Sequence, residues 1–264
     1  MGSTFSSYEM IHLEDLSKSF DDNIAVKNLS LQVERGAILG FLGPNGAGKT
    51  TTVKMLTGMI RPTSGVARVA GFDVVEDPLE VKRKIGYVPE SGALFESLTA
   101  WEYLELVSEL HHLQRRIAHG RIEEFLTLLS IFEDKDRRLN SFSKGMKQKV
   151  LLSAAFLHNP EVLFLDEPLN GLDSNAALVI KEVLKRFAAQ GKTIMFCSHI
   201  LEVVEQICTR IAIIDKGELI IDGTSKEIIS HTSQPSLEQA FYKLTGARDV
   251  HAETADFLEA LERI

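Results

Sequence analysis

Hydrophobic residues recur along this chain in two spacings. Residues 37–42, 162–165 and Thr193–Cys197 are short, unbroken apolar runs, the pattern of strands buried on both faces of a parallel sheet. Helical periodicity separates the last two runs over Ser174–Ala189, and residues 49–59 predict a helix directly after the first. Residues 210–222 read as a hairpin turning at Lys216-Gly217. Strands alternating with helices are the signature of an α/β fold with a mostly parallel sheet, here joined by antiparallel β elements.

From about residue 97 to residue 158 the periodicity is helical throughout. Ile122, Phe125, Leu126 and Leu129 stand at i, i+3, i+4 and i+7 on one face, and a second helix over 144–158 stops before Asn159-Pro160. This stretch is expected to form a helical subdomain inserted into the α/β core. One domain is drawn over residues 1–230. A helical tail over 231–264 follows, with segments at 236–246 and 249–264; Phe257, Leu258, Leu261 and Ile264 could line an apolar stripe on the second.

Composition narrows the function. The 264 residues include 29 basic and 37 acidic side chains, a net charge of −8, and 44% are hydrophobic, which suits an ordinary folded protein rather than a disordered one. The acidic balance argues against broad contact with nucleic acid, which needs clustered cations. A membrane span needs about 20 consecutive apolar residues, and the best run, 150–157, is far shorter and contains Ser153. No secretory signal opens the chain, so a cytoplasmic location is expected. The opening Met1-Gly2-Ser3-Thr4-Phe5-Ser6 fits a myristoylation pattern, but so short a serine-rich match is read as coincidence. Cys197 and Cys208 are expected to be buried, reduced thiols.

The chemistry starts at the first strand. Gly43-Pro44-Asn45-Gly46-Ala47-Gly48-Lys49-Thr50 matches the P-loop pattern G-x-x-x-x-G-K-[ST], after a predicted strand and opening a predicted helix. Glycines turn the backbone so that consecutive N–H groups face one concavity, and the helix N-terminus adds partial positive charge. Lys49 would reach the β- and γ-phosphates of ATP, Thr50 would place its hydroxyl on Mg²⁺, and Thr51 would complete the cradle. A P-loop needs an acid at the end of a neighbouring strand, and Asp166 and Glu167 follow the run at 162–165. Asp166 is expected to hold Mg²⁺, and Glu167 to polarise the attacking water. His199, just after the third strand, should lie at the same sheet edge and donate to the γ-phosphate.

The order and spacing of these elements resemble those of ATP-binding-cassette (ABC) transporter ATPases, over residues 11–246. The segment that carries the resemblance beyond other P-loop proteins is Ser141-Phe142-Ser143-Lys144-Gly145-Met146-Lys147-Gln148, placed so that Ser143 stands 23 residues before Asp166. Ser143 and Gly145 match the family signature; Phe142, Lys144 and Met146 depart from its usual spelling. This form is similar to one found in bacterial exporters of drugs, sodium and polysaccharides. The resemblance implies that Ser143 and Gly145 bind the γ-phosphate held on a second ATPase subunit's P-loop. It implies also that Asn170-Gly171-Leu172-Asp173 is the loop that crosses that dimer, with Asp173 at its end. Phe20 stands where the family places an adenine-stacking aromatic, although it could equally be core. Glu90 occupies a position where glutamine is usual and would bind Mg²⁺ or a water.

The resemblance further implies an integral membrane permease as partner and a location on the cytoplasmic face of the membrane. The segment from Ser91 to about Leu113 would receive a permease helix, with Leu94, Phe95, Leu98 and Trp101 either lining that groove or belonging to the core. The main rival is a ribosome- or DNA-associated cassette. Chromosome-architecture members need a long coiled coil, but Thr50 and Ser141 are only 91 residues apart without sustained heptads. Translation-factor-like members carry two cassettes, and this sequence has one.

Overall fold

The computed structural model describes residues 9–21, 23–91 and 94–246. Its first layer is an antiparallel sheet that the strand signals above did not locate. β1 (Glu9–Phe20) pairs with β2 (Asn23–Glu34), and after β3 (Ile38–Leu42) leaves for a second sheet, β4 (Ser64–Val69) and β5 (Phe72–Asp73) complete the order β2-β1-β4-β5. The signal lay in the alternation of Leu29, Leu31 and Val33, buried, with Ser30, Gln32 and Glu34, exposed, the pattern of a sheet with one wet face.

The second sheet holds the solid apolar runs. β6 (Ile85–Val88), β7 (Val162–Asp166), β8 (Thr193–Cys197), β9 (Arg210–Asp215) and β10 (Glu218–Gly223) join β3 in the order β10-β9-β3-β8-β7-β6. All pairs are parallel except β9 with β10, which form the hairpin turning at Lys216-Gly217. All five residues of β3, β7 and β8 are buried because both faces are covered. Leu39, Phe41, Phe164, Met195 and Ala212 pack toward the antiparallel layer. Ile38, Leu42, Leu163, Leu165 and Phe196 pack toward the helices.

α1 (Lys49–Leu56) is shorter than the helix expected over 49–59. Gly58, at φ +67°, turns the chain into the left-handed region, and Met59 N–H returns to Lys54 C=O at 2.9 Å, a glycine-type helix stop. α2 (Pro78–Lys84) leads into β6. The helical insert contains α3 (Ala100–Leu110), α4 (Arg115–Leu128) and α5 (Lys144–Leu157). Thr99 and Glu102 close a reciprocal capping box on α3, and Ile122, Leu126 and Leu129 are buried as their spacing requires. α5 is buried at every position from Gln148 to Leu157, so it forms the centre of this layer rather than an amphipathic surface helix.

α6 (Ser174–Ala189) and α7 (Leu201–Ile207) follow β7 and β8. The boundary drawn after residue 230 falls inside α8 (Ser225–Thr232), and α9 (Leu237–Thr245) buries Leu237 and Ala240 completely in the same core as the sheet. That part of the expected tail is therefore packed into the domain. The segment at 249–264, its apolar stripe and the Met1–Ser6 pattern lie outside the described residues. Among the described residues, no helix is long and apolar enough to cross a membrane.

A candidate nucleotide site at the carboxyl edge of the parallel sheet

β3, β7 and β8 are parallel neighbours, so the residues that follow them emerge together at one edge. After β3 the P-loop turns through Gly46 (φ +80°) and Gly48 (φ +103°) into α1. Glycine is required at Gly48 on two counts: its backbone is left-handed, and an added Cβ would sit 2.5 Å from Ala25 C=O. Lys49 folds back along the loop, donating to Gly43 C=O at 2.6 Å and Pro44 C=O at 3.1 Å. Its ammonium therefore lies within the concavity rather than out in solvent.

After β7, Asp166 is buried and accepts from the Thr50 hydroxyl at 3.3 Å. Burial, followed by the negative charge of Glu90, pushes its carboxyl up to about 6, while the Thr50 hydrogen bond and Lys49 oppose the rise. Buried oxygens with unrelieved negative charge suit Mg²⁺, a hard cation that takes one or two protein carboxylates and completes its shell with phosphate and water. The same burial, with Asp166 as the next contributor, pushes the Tyr87 phenol up to about 12.

Glu167 adopts a left-handed backbone at φ 50°, unusual for a glutamate, and its N–H donates to Cys197 C=O at 2.9 Å. That kink directs its carboxylate to the end of β8. There Oε1 accepts from the backbone N–H of His199 at 2.9 Å and meets the ring Nδ1 of His199, also at 2.9 Å. The Ser198 hydroxyl donates to Oε2 at 3.4 Å. Glu167 is 13% exposed and His199 73%, so a fixed carboxylate carries an imidazole that faces solvent.

Two clefts flank the P-loop. One, of about 390 Å³, is lined by Phe20, Asn23, Ala25, the loop itself, Thr51 and Glu90. Phe20 is 47% exposed with the Lys18 ammonium 4.9 Å from its ring centre, which places it at the cleft and not in the core. The second cleft, of about 510 Å³, brings Gly43, Pro44, Asn45, Lys49 and Glu90 together with Glu167, Ser198 and His199. Glu90 belongs to both. Ser198 and Phe241 also line the second cleft, although the sequence reading did not select them; Ser198 could have been found as the hydroxyl between β8 and His199.

Ser143, Gly145 and Asp173 line neither cleft. Ser143 caps α5, its hydroxyl accepting from Met146 N–H at 3.2 Å. Gly145 packs directly on the segment after β7, where an added Cβ would lie 2.3 Å from Gly171 C=O. The Asp173 carboxylate caps α6 through Ala176 N–H at 2.9 Å and pairs with the nearly buried Lys149 ammonium at 2.9 Å. Gln148 adds a bond to Pro168 C=O at 3.0 Å. The signature segment and the loop carrying Asp173 are thus one packed unit, set apart from this chain's own P-loop clefts. Cys197 and Cys208 are free, and burial raises both thiols, as inert core cysteines require.

A family model described as ABC transporter matches residues 26–170. The chain belongs to the ABC transporter family. It is an ABC ATPase, an enzyme that binds and hydrolyses ATP. It is 37% identical over 238 residues to the ABC transporter ATP-binding protein NatA of Bacillus subtilis, covering 88% of this chain and 96% of that one. It is 34% identical over 219 residues to the Nod factor export ATP-binding protein I of Burkholderia lata, covering 83% and 72%. Among solved structures, the ATP-binding subunit of an ABC transporter superposes with a TM-score of 0.85 at 30% identity, covering 89% of this chain and 99% of that one. A dimeric ATP-binding cassette in a post-hydrolysis state, bound to ADP and Pi, superposes with a TM-score of 0.74 at 26% identity, covering 81% and 98%.

Proposed function

We propose that two cassettes close around two ATP molecules and drive a separate integral membrane permease, with this ABC ATPase peripheral on the cytoplasmic face. The observation that carries the reading is the separation just described: Ser143 and Gly145 open a capped helix of anion-binding type, yet line neither P-loop cleft of their own chain. A second subunit's P-loop supplies the missing phosphate. The ADP- and Pi-bound dimer among the similar structures supports pairing of two cassettes.

Within each site Lys49 and the loop N–H groups hold the phosphates, and Phe20 stacks on the adenine. Thr50 and Asp166 would hold Mg²⁺, with Glu90 beside them, and the cation would supply positive charge toward the phosphates. Glu167 takes a proton from the attacking water. The Nδ1 contact of His199 with Glu167 fixes the ring and leaves Nε2 for the γ-phosphate. Asp173 braces the signature segment through Lys149 and meets the partner across the dimer.

The permease-facing surface is a groove of about 570 Å³ between α2 and β6 on one side and α3 and α5 on the other. Tyr103, Val107, Leu110 and His111 line it, rather than Leu94, Phe95, Leu98 or Trp101. Leu94 and Trp101 pack against the core instead, while Phe95 is 63% exposed. The name of the Burkholderia lata relative, an export protein, supports an outward direction of transport. Purification of the chain from detergent-solubilised membranes tests the assignment. An integral membrane protein should co-purify, with ribosomes and DNA absent; the converse overturns it.

A further inference from the structure

The second cleft has one wall that the hydrolytic groups do not explain. Besides Lys49, Glu90, Glu167, Ser198 and His199, two large apolar side chains line the cleft: Leu201 from the start of α7 and Phe241 from α9. α9 comes from the end of the described chain, far in sequence from every other residue of the site. It is anchored firmly: Ser236 caps it, Leu237 and Ala240 are fully buried, and the Lys243 ammonium donates to Thr232 C=O at 2.8 Å. α9 packs on α7, the helix that begins two residues after His199. Phe241 itself is half-buried, with part of its side chain in the core and part at the cleft.

The neighbouring imidazole gives this wall a task. The His199 side chain is 73% exposed, and its ring Nδ1 meets the Glu167 carboxylate at 2.9 Å. A ring so exposed loses rotamer freedom when it is ordered for reaction. An apolar surface on a rigid helix that lines the same cleft narrows the space into which the ring can turn.

We propose that Phe241 is a positioning residue for ATP hydrolysis: its ring closes the cleft beside Leu201 and confines His199 to its Glu167-bonded orientation. The inference rests on the assignment of Glu167 and His199 to the hydrolytic step. Small misplacements of reacting groups cost large factors in rate, so Phe241→Ala should lower kcat about tenfold while KM for ATP stays within about twofold. Phe241→Leu, which restores apolar bulk, should recover most of that loss. Leu244→Ala, on the same helix and packed in the core away from the cleft, should keep kcat.

The second readout is the ¹⁵N spectrum of the histidine rings. The His199 signal should broaden in Phe241→Ala and stay sharp in Leu244→Ala. If Phe241→Ala does not fold, Phe241→Val is measured in its place, because it keeps core bulk and withdraws the ring. Wild-type kcat with an unchanged His199 signal overturns the inference, as does an equal kcat loss in Leu244→Ala. Glu167→Gln assayed alongside separates the two levels. If it hydrolyses normally the underlying assignment fails; if it stalls while the Phe241 variants run at the wild-type rate, only the role of Phe241 fails.

Discussion

Glu167 and His199 are joined twice through one oxygen: Glu167 Oε1 lies 2.9 Å from both the backbone nitrogen and the ring Nδ1 of His199. The contact couples the ends of two parallel strands, β7 and β8, and it is made possible by the left-handed backbone at Glu167. A carboxylate so held has one geometry to offer a water molecule.

Shared sites can be tested by complementation. Lys49→Ala removes the phosphate-binding ammonium and Ser143→Arg blocks the α5 N-terminus, so each variant alone should be inactive. Mixed, they can form dimers in which one site pairs the intact P-loop of one chain with the intact signature of the other. ATPase activity above the sum of the separate preparations is the expected result, and activity equal to that sum contradicts it.

Gly145→Ala should destabilise the protein by about 1–3 kcal/mol, the usual cost of forcing atoms into a packed region. The added methyl meets Gly171 C=O, a backbone atom that cannot rotate away. Denaturant unfolding reads the change, and a variant of wild-type stability would show that the two segments move apart easily.

These two segments also show how far the residues alone could be read. The P-loop, Asp166, Glu167 and His199 were legible because each follows a solid apolar run, and the parallel sheet brings such positions to one edge. The antiparallel sheet is harder to read because the alternation is clean only over residues 29–34 of β2, and bulges interrupt it along β1. Phe241 is not legible because its value depends on neighbours distant in sequence, whereas Ser198 stands directly between β8 and His199. Whether Leu94 and Trp101 belong to a groove or to the core could not be read from spacing, since only packing decides which side chains of this segment turn inward.

Acid should destabilise the fold through His158. Burial, followed by the charge of His111 stacked on it at 3.6 Å, pulls the His158 ring down to about 4. In the unfolded chain it titrates near about 6.5. Between these values the unfolded state binds the extra proton, so stability is full above about 6.5 and falls as pH drops toward about 4, by up to about 3 kcal/mol. His158→Gln, which keeps a donor for Ile85 C=O, should flatten this part of the stability profile measured by urea unfolding; an unchanged slope would assign the acid sensitivity elsewhere.

The central claim is that Glu167 drives hydrolysis in a dimer that ATP holds closed. It is tested most directly by sedimentation of Glu167→Gln with ATP and Mg²⁺, with phosphate release followed in the same samples. Glutamine keeps the shape but cannot take the proton, so hydrolysis should fall at least about 100-fold while the protein sediments as a dimer with ATP and as a monomer with ADP. Phosphate release at the wild-type rate, or a monomer in saturating ATP, would contradict the account.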